Sequence, residues 1–181
     1  MKKIILLCSI FFALMSTSKA QSFDEGSSII SAGLGLGSNL YTGSETLRVP
    51  PLFVTYDYGF RDQWSLGGII GVAGSKERWH YLNQSYQYNY SHFILAARGA
   101  YHIYSDYTWD AYAGASLGFD IVTGSYSGAV PVGYEYATRG SSLFLGLYAG
   151  GRYYFNDQIA AFAEIGYNVG FLNLGVSFKL Q

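Results

Sequence analysis

The sequence predicts an all-β fold, a single eight-stranded, antiparallel, up-and-down transmembrane β-barrel. Three observations support this prediction. In eight separate segments, apolar residues recur at every second position, which is the period of a strand with one apolar face. Charged residues make up 13% of the 181 residues, against roughly 25% in soluble domains. After the N-terminus, no stretch has the roughly 18 consecutive apolar residues of a membrane-spanning helix, which leaves strands as the membrane-crossing element.

Residues 1–20 are predicted to be a cleaved signal peptide. Lys2 and Lys3 form a short basic region, residues 4–15 are apolar, and the tripeptide at 18–20, Ser-Lys-Ala, matches a small-x-small cleavage site. The apolar run is too short to span a bilayer. The mature outer-membrane domain is therefore expected to be residues 21–181.

The composition of the mature chain excludes several functions. Cleavage removes Cys8, the only cysteine, which excludes disulfides, thiol catalysis and cysteine-ligated zinc. It also removes three of the 11 Lys and Arg residues and none of the 12 Asp and Glu residues. The mature chain is then mildly acidic without a basic run, so nucleic acid is not an expected partner. The three histidines lack metal-ligand spacing, and we expect neither a metal nor another cofactor.

The strands follow from the alternation, taken in chain order. They are predicted at 30–36, 52–58, 64–72, 93–103, 109–121, 143–153, 159–169 and 172–180. Representative residues on their apolar faces, in the same order, are Ile30, Val54, Ile70, Leu95, Ala113, Leu145, Ile165 with Val169, and Leu174. No position on these faces is charged. A lipid-facing Arg or Lys at mid-bilayer costs about 2–4 kcal/mol, so a face without charge is what lipid contact predicts.

The connections between these strands alternate between long and short. This alternation around an even number of strands is typical of outer-membrane barrels, in which the short turns face the periplasm. We expect Pro50 and Pro51 where a loop meets the second strand, and Pro131 within a loop, because a closed barrel has no edge strand to host proline. The long connections are predicted at 37–49, 74–90 and 122–141, and the short turns at 59–63, 105–107, 156–158 and near 169–170.

The C-terminal strand carries the most specific motif, Asn173-x-Gly175-x-x-Phe178-x-Leu180. With the barrel pattern, it resembles the small eight-stranded outer-membrane β-barrels, the family of outer-membrane protein X and of the barrel of outer-membrane protein A. In that family the motif is the assembly signal that the outer-membrane insertion machinery reads. The resemblance implies a monomer located in the cell outer membrane, surrounded by outer-membrane lipid and lipopolysaccharide.

The polar face is expected to point into the barrel, whose interior is narrow enough for side chains to fill. Arg98 and Glu164 lie about seven residues from the short turns, and Asp57, Asp110 and Arg152 about four. An unpaired interior charge costs several kcal/mol, so these residues are candidates for ion pairs across the lumen. A structural plug of ion pairs is the favoured interpretation, and a narrow ion or solute channel is the alternative.

The long connections combine Tyr with Ser, Asn and Gly, a composition typical of contact surfaces. We predict an exposed binding or adhesion surface; the alternative is a solvated ribbon whose tyrosines pack on each other and on lipopolysaccharide sugars. The alternation of tyrosines at 86, 88 and 90 also suggests that the fourth strand extends beyond the membrane. The binding candidates, for an extracellular ligand that the sequence does not identify, are Trp79, Tyr81, Tyr86, Tyr88, Tyr90, Tyr134 and Tyr136.

Enzymatic activity is not predicted. Some barrels of this type are lipid A acyl hydrolases, for which we would expect a His-x-Ser pair on one outward strand face, and the sequence has none. Ser91 and His92 are adjacent and therefore lie on opposite faces of a strand. The expected role is structural or surface-interactive, with a channel and a lipid A-modifying enzyme as alternatives. A soluble lipocalin-like barrel is disfavoured because the polar face has few charges for a water-facing wall.

Overall fold

A computed structural model of the protein describes residues 22–37, 40, 46–81, 84–127 and 138–180. Each strand pairs antiparallel with the next along the chain, and β8 pairs with β1, which closes the sheet into a barrel. The predicted fold class is therefore confirmed. The predicted signal peptide lies outside the described residues. The strands are β1 (Ser28–Leu36), β2 (Thr46–Arg61), β3 (Trp64–Tyr81), β4 (Gln84–Ser105), β5 (Trp109–Ser127), β6 (Thr138–Tyr154), β7 (Ile159–Tyr167) and β8 (Leu172–Lys179).

The strands differ greatly in length. β3, β4 and β5 have 18, 22 and 19 residues, whereas β1, β7 and β8 have 9, 9 and 8. The connection predicted at 74–90 is therefore largely strand, the described ends of the one predicted at 122–141 also belong to strands, and the suggested extension of the fourth strand is confirmed. Aromatic and β-branched residues favour pairing, so the ladder continues past the predicted ends. We call residues 74–81, 84–91 and 122–127 the ribbon, and the opposite end, with the β2–β3, β4–β5 and β6–β7 turns, the short-turn end. Among the described residues, no helix is long and apolar enough to cross a membrane.

Pro50 and Pro51 lie inside β2, so their predicted placement at a loop boundary is wrong. Val49 pairs with Gly74 and Leu52 with Val72, so β2 advances by three residues where β3 advances by two. This shift is a β-bulge, which interrupts the hydrogen-bond ladder and accommodates residues without an N–H donor. Residue 131, the third predicted loop proline, lies outside the described ranges.

The barrel wall has the predicted orientation, apolar outside and polar inside. Leu145 and Leu174 on the outer face are 55% and 37% exposed, whereas Arg98 and Glu164 on the inner face are 1% and 2% exposed. A soluble barrel of the lipocalin type would have the reverse arrangement. The soluble alternative is therefore inconsistent with the structure.

An apolar cluster fills part of the lumen. β2 and β6 lie on opposite sides of the closed sheet, and both contribute to it, so the cluster reaches across the barrel. Val169 was predicted on the outer face, which is wrong: β7 ends at Tyr167, and Val169 packs inward from the following turn. The members of the cluster are Phe53, Ile69, Ile94, Ala96, Phe144, Phe162 and Val169.

Two glycines on paired strands make room for this cluster. The rings of Phe53 and Phe162 meet edge to face with centroids 6.2 Å apart. A Cβ atom at Gly33 would lie 2.8 Å from both rings, and one at Gly175 would lie 2.7 Å from Phe162. Glycine at these positions lets the two aromatic side chains lie flat across the inner wall.

Candidate functional site

The structure brings the five candidate lumen charges together in one buried network. Arg98 pairs through Nε with Asp57 Oδ1 at 2.9 Å and through Nη2 with Glu164 Oε1 at 2.8 Å. Arg152 pairs through Nη2 with Asp57 Oδ2 at 2.7 Å and through Nη1 with Asp110 Oδ2 at 2.9 Å. Asp57 thus joins the two guanidinium groups, and side chains from β2, β4, β5, β6 and β7 are linked across the lumen.

Two tyrosines complete the surroundings of the network. The Tyr112 hydroxyl donates a hydrogen bond to Glu164 Oε1 at 2.9 Å. The guanidinium carbon of Arg152 lies 4.4 Å from the centroid of the Tyr112 ring, and that of Arg98 lies 4.4 Å from the Tyr148 ring. A cation over an aromatic face is stabilised by the ring quadrupole. Carboxylates therefore bind the nitrogen atoms of each guanidinium group, and a tyrosine ring covers its flat face.

A second polar group adjoins the network at the short-turn end. His102 Nδ1 lies 2.6 Å from Asp110 Oδ1, and His102 Nε2 lies 3.1 Å from Ser65 Oγ. All three side chains are buried. This Ser–His–Asp arrangement is not predicted from the sequence, because its members lie on three different strands, β3, β4 and β5. The signal lies in the register: Ser65 pairs with Ala100, two residues from His102, and such diagonal neighbours on one face are within reach of long side chains.

Residues 22–27, the N-terminal segment, cover the short-turn end. The Phe23 ring stacks on His102 with centroids 3.4 Å apart and an interplanar angle of 4°. The Phe23 N–H donates to Ser105 Oγ at 2.9 Å, and the Ser22 N–H donates to the Asp106 carbonyl at 2.8 Å. A cavity of about 880 Å³ opens beside the segment, and its lining includes Phe23, His102, Gln63 and Trp64.

A separate histidine–carboxylate pair lies toward the ribbon. His92 Nδ1 lies 2.8 Å from Asp120 Oδ2, with both side chains buried on the inner face. Within the described ranges, no group of three His, Asp or Glu residues could hold a metal ion.

The ribbon carries part of the predicted tyrosine surface. Tyr88 stacks near Tyr90, with ring centroids 6.4 Å apart, and meets Tyr126 edge to face at 5.0 Å. These rings pack on one another along the inner side of the ribbon. Trp79 and Tyr81 lie in β3 and Tyr86 in β4, where Trp79 pairs with Tyr86. The candidates Tyr134 and Tyr136 lie outside the described residues.

The residues of the C-terminal motif each have a place in the folded barrel. Asn173 closes the β7–β8 turn: its Oδ1 accepts from the Gly170 N–H at 3.0 Å, and its Nδ2 donates to the Gly170 carbonyl at 3.1 Å. Gly175 admits a phenylalanine ring, as described above, while Phe178 and Leu180 are exposed on the outer face. That the outer-membrane insertion machinery recognises this motif stays a prediction.

The fold can be compared with known proteins. No family model matches the chain, and no curated protein sequence matches it. The N-terminal β-barrel domain of Pseudomonas aeruginosa OprF is similar in structure, with 16% identity, coverage of 87% of this chain and 99% of that chain, and a TM-score of 0.50. Ail, the attachment invasion locus protein of Yersinia pestis in complex with the heparin analogue sucrose octasulfate, is similar with 16% identity, coverage of 86% and 99%, and a TM-score of 0.53. The chain therefore has the fold of the small eight-stranded outer-membrane β-barrels.

Proposed function

We propose that the protein is a monomeric barrel of the cell outer membrane with a structural and surface-interaction role. The observation that carries this proposal is the distribution of polarity across the wall. Large apolar side chains such as Leu143, Leu147 and Ile165 are 61%, 68% and 63% exposed on the outer face, while the charged network is sealed inside. A wall this apolar is stable in hydrocarbon and would aggregate in water.

A structural role is favoured over a channel by the filling of the lumen. The ion-pair network links opposite walls, and the apolar cluster also reaches from β2 to β6. A hydrated ion following the lumen would have to pass the cluster that contains Phe53 and Phe162, where it would lose its hydration without a polar replacement. We expect no steady conductance from the purified barrel in a planar bilayer, and stable single-channel openings would contradict this part of the proposal.

The ribbon is the proposed contact surface. It rises on one side of the barrel, and its rings are held by contacts such as the one between Tyr88 and Tyr126. Rigid aromatic side chains offer contact area at low entropy cost. Lys76 pairs with Thr46 at the base of the ribbon, and the side chain of Arg48 is exposed beside them. This combination suits the sugars and phosphates of lipopolysaccharide and acidic glycans outside the cell.

Export and assembly complete the proposal. We infer that residues 1–20 direct export and are removed, and that the insertion machinery reads Asn173, Gly175, Phe178 and Leu180. The outward positions of Phe178 and Leu180 support this, because these two side chains of the motif are accessible from outside the sheet, whereas Asn173 and Gly175 face inward.

The test uses the full chain expressed in a Gram-negative host. Outer-membrane fractionation and a change in gel migration on boiling report the folded barrel. The variant Tyr88→Ser/Tyr126→Ser is compared with Tyr107→Ser, which alters an exposed tyrosine in a turn at the short-turn end. We expect the ribbon variant, but not the turn variant, to lose binding to heparin-coated beads and to lipopolysaccharide vesicles. Equal binding by all three proteins would remove the ribbon from the proposed function and leave the membrane location intact.

A further inference from the structure

We propose that Ser65, His102 and Asp110 form a latent nucleophilic serine site, which accepts the acyl group of a carboxylic ester when the N-terminal segment withdraws. The site lies at the short-turn end, away from the ribbon, and goes beyond the proposed function. It rests on the contacts of the three side chains, on the cavity beside them and on the way Phe23 covers them.

The contacts assign a role to each side chain. The Nδ1–H of His102 donates to Asp110 Oδ1 at 2.6 Å, which directs the other ring nitrogen, Nε2, toward Ser65 Oγ at 3.1 Å. This is the sequence of contacts by which a hydroxyl, a base and an orienting carboxylate produce a nucleophile. Arg152 pairs with the second oxygen of Asp110 at 2.9 Å, which fixes the orientation of the carboxylate. The arrangement therefore has a nucleophile, a base and an oriented third group.

A defined set of contacts holds the cover over the site. Phe23 stacks on the His102 ring, and the N-terminal segment is held by side-chain contacts such as the 2.8 Å hydrogen bond between Ser22 Oγ and Ser105 Oγ. Asp24 adds an ion pair with Lys179 at 3.3 Å, in which the Asp24 side chain is 42% exposed. The Gly26 N–H also donates to the Gly59 carbonyl, and the Gly59 N–H to the Ser27 carbonyl, both at 2.8 Å. Withdrawal of the segment therefore has to break a defined set of hydrogen bonds, whereas replacement of Phe23 removes the covering ring without that step.

The cavity indicates the class of substrate. His102 lies in its lining between two kinds of side chain, the apolar Phe60, Trp64 and Ile103 and the polar or charged Glu25, Arg61, Asp62 and Gln63. An acyl chain can lie along the apolar side chains with its ester carbonyl directed toward His102. The substrate class is therefore an ester that joins an acyl chain to a polar or charged head group, as in a membrane lipid, an assignment that rests on the proposed membrane location.

The reaction balances without a further reagent. Ser65 Oγ attacks the ester carbonyl carbon, and its proton passes to His102 Nε2. The bond between the carbonyl carbon and the alkoxide oxygen breaks, the alkoxide takes the proton from His102, and an alcohol leaves. Water then attacks the acyl-serine, passes its proton through His102 to Ser65 Oγ, and releases the carboxylic acid.

The surroundings of Ser65 determine which measurement is informative. Ser65 lies in β3, which pairs with β2 at Gly59 and with β4 at Ala100. The backbone at this residue is therefore engaged in the sheet and does not supply an oxyanion donor. Loss of such a donor lowers turnover by about 100- to 1000-fold, so covalent capture is a sharper test than hydrolysis.

The experiment uses the full chain refolded in detergent micelles and a fluorescent alkyl fluorophosphonate as the probe. Phe23→Ala removes the cover, Ser65→Ala removes the nucleophile, and His102→Asn removes the base. Ser116→Ala is the matched control, because Ser116 is a buried inner-face serine whose Oγ has no hydrogen-bond partner among the described residues. Gel migration before and after boiling shows which variants are folded, independently of labelling.

We expect labelling of folded Phe23→Ala to exceed that of the unaltered chain, with the label located on the Ser65 peptide by mass spectrometry. Labelling should be lost in Phe23→Ala/Ser65→Ala, fall about 100-fold in Phe23→Ala/His102→Asn and persist in Phe23→Ala/Ser116→Ala. A folded Phe23→Ala protein without label on Ser65, or with equal labelling when His102 is Asn, would overturn the proposal. Failure of every variant to enter the folded, heat-modifiable form would instead count against the barrel proposal.

Discussion

Replacement of Arg152 by Met tests whether the buried network holds the barrel together. Arg152 is 1% exposed, and its guanidinium bonds to Asp57 at 2.7 Å and to Asp110 at 2.9 Å. Met preserves most of the length and volume of the side chain but removes the charge and the donors. The substitution therefore leaves two buried carboxylates, each without one of its cationic partners.

The magnitude follows from these contacts. A hydrogen bond to a charged group contributes about 1.5–3 kcal/mol, and Arg152 makes two with carboxylates. Breaking a buried ion pair by removal of one partner costs about 3–5 kcal/mol, because the other charge is left uncompensated. The Tyr112 ring also loses its cation at 4.4 Å. We therefore expect Arg152→Met to lower the free energy of unfolding by about 3–5 kcal/mol.

The assay is reversible urea unfolding of the barrel in detergent or lipid vesicles, followed by tryptophan fluorescence. Arg61→Met is the control, because Arg61 is exposed at the short-turn end, and we expect a change within about 0.5 kcal/mol. Addition of Asp57→Asn and Asp110→Asn to Arg152→Met should restore more than half of the loss, since the excess negative charge disappears and Arg98 keeps its pair with Glu164. A loss below about 1 kcal/mol for Arg152→Met would refute the view that the network is a structural plug.

Three further predictions concern the wall, the core and a turn. Leu145→Arg on the outer face should cost about 2–4 kcal/mol of unfolding free energy in lipid vesicles, and an unchanged urea midpoint would contradict lipid contact at that position. Gly175→Val should cost at least about 1–3 kcal/mol because its Cβ would overlap the Ala32 carbonyl oxygen and lie 2.7 Å from the Phe162 ring, and a neutral effect in the same urea titration would contradict this close backbone approach. In the exposed β4–β5 turn, the Tyr104 hydroxyl at 2.7 Å and the backbone N–H groups of Thr108 and Trp109 favour the charged carboxylate and hold the pKa of Asp106 below its ordinary value. The stability that these bonds contribute is present above the ordinary Asp pKa and is lost as the pH falls through the lowered pKa of Asp106. Tyr104→Phe should raise the pKa of Asp106 in a carboxyl NMR titration, and an unchanged pKa would exclude the hydroxyl as the main cause.

Most of the wall could be predicted from the sequence because a sheet with one apolar face follows a strict rule on alternate residues. Each predicted segment overlaps an observed strand, and residues such as Leu145 and Leu174 lie on the expected outer face. The errors lie where this rule no longer applies. Strands of the ribbon continue past the segments in which the apolar alternation predicts a strand, and Val169 turns inward once β7 has ended.

The candidate sites could also be predicted only in part. The five lumen charges could be selected from the sequence because inner-face charges in a narrow barrel require partners. The pairing of these charges could not be predicted from the sequence, because Arg98 reaches both Asp57 on β2 and Glu164 on β7 through the geometry of the closed sheet. The contact of Ser65 with His102 depends on the register between β3 and β4, and the stacking of Phe23 depends on the path of a segment without periodicity.

By itself, the sequence determined which face of each strand forms the apolar outer wall and on which face the charges lie, because an uncompensated charge on an apolar face is too costly. Only the tertiary structure decided how the inside is organised: the two arginines that share Asp57, the phenyl rings that lie over Gly33 and Gly175, and the triad beneath Phe23. The physical reason is that alternation is a local property of one strand. Contacts across the lumen depend instead on strand tilt, register and closure, which arise only when all eight strands are paired.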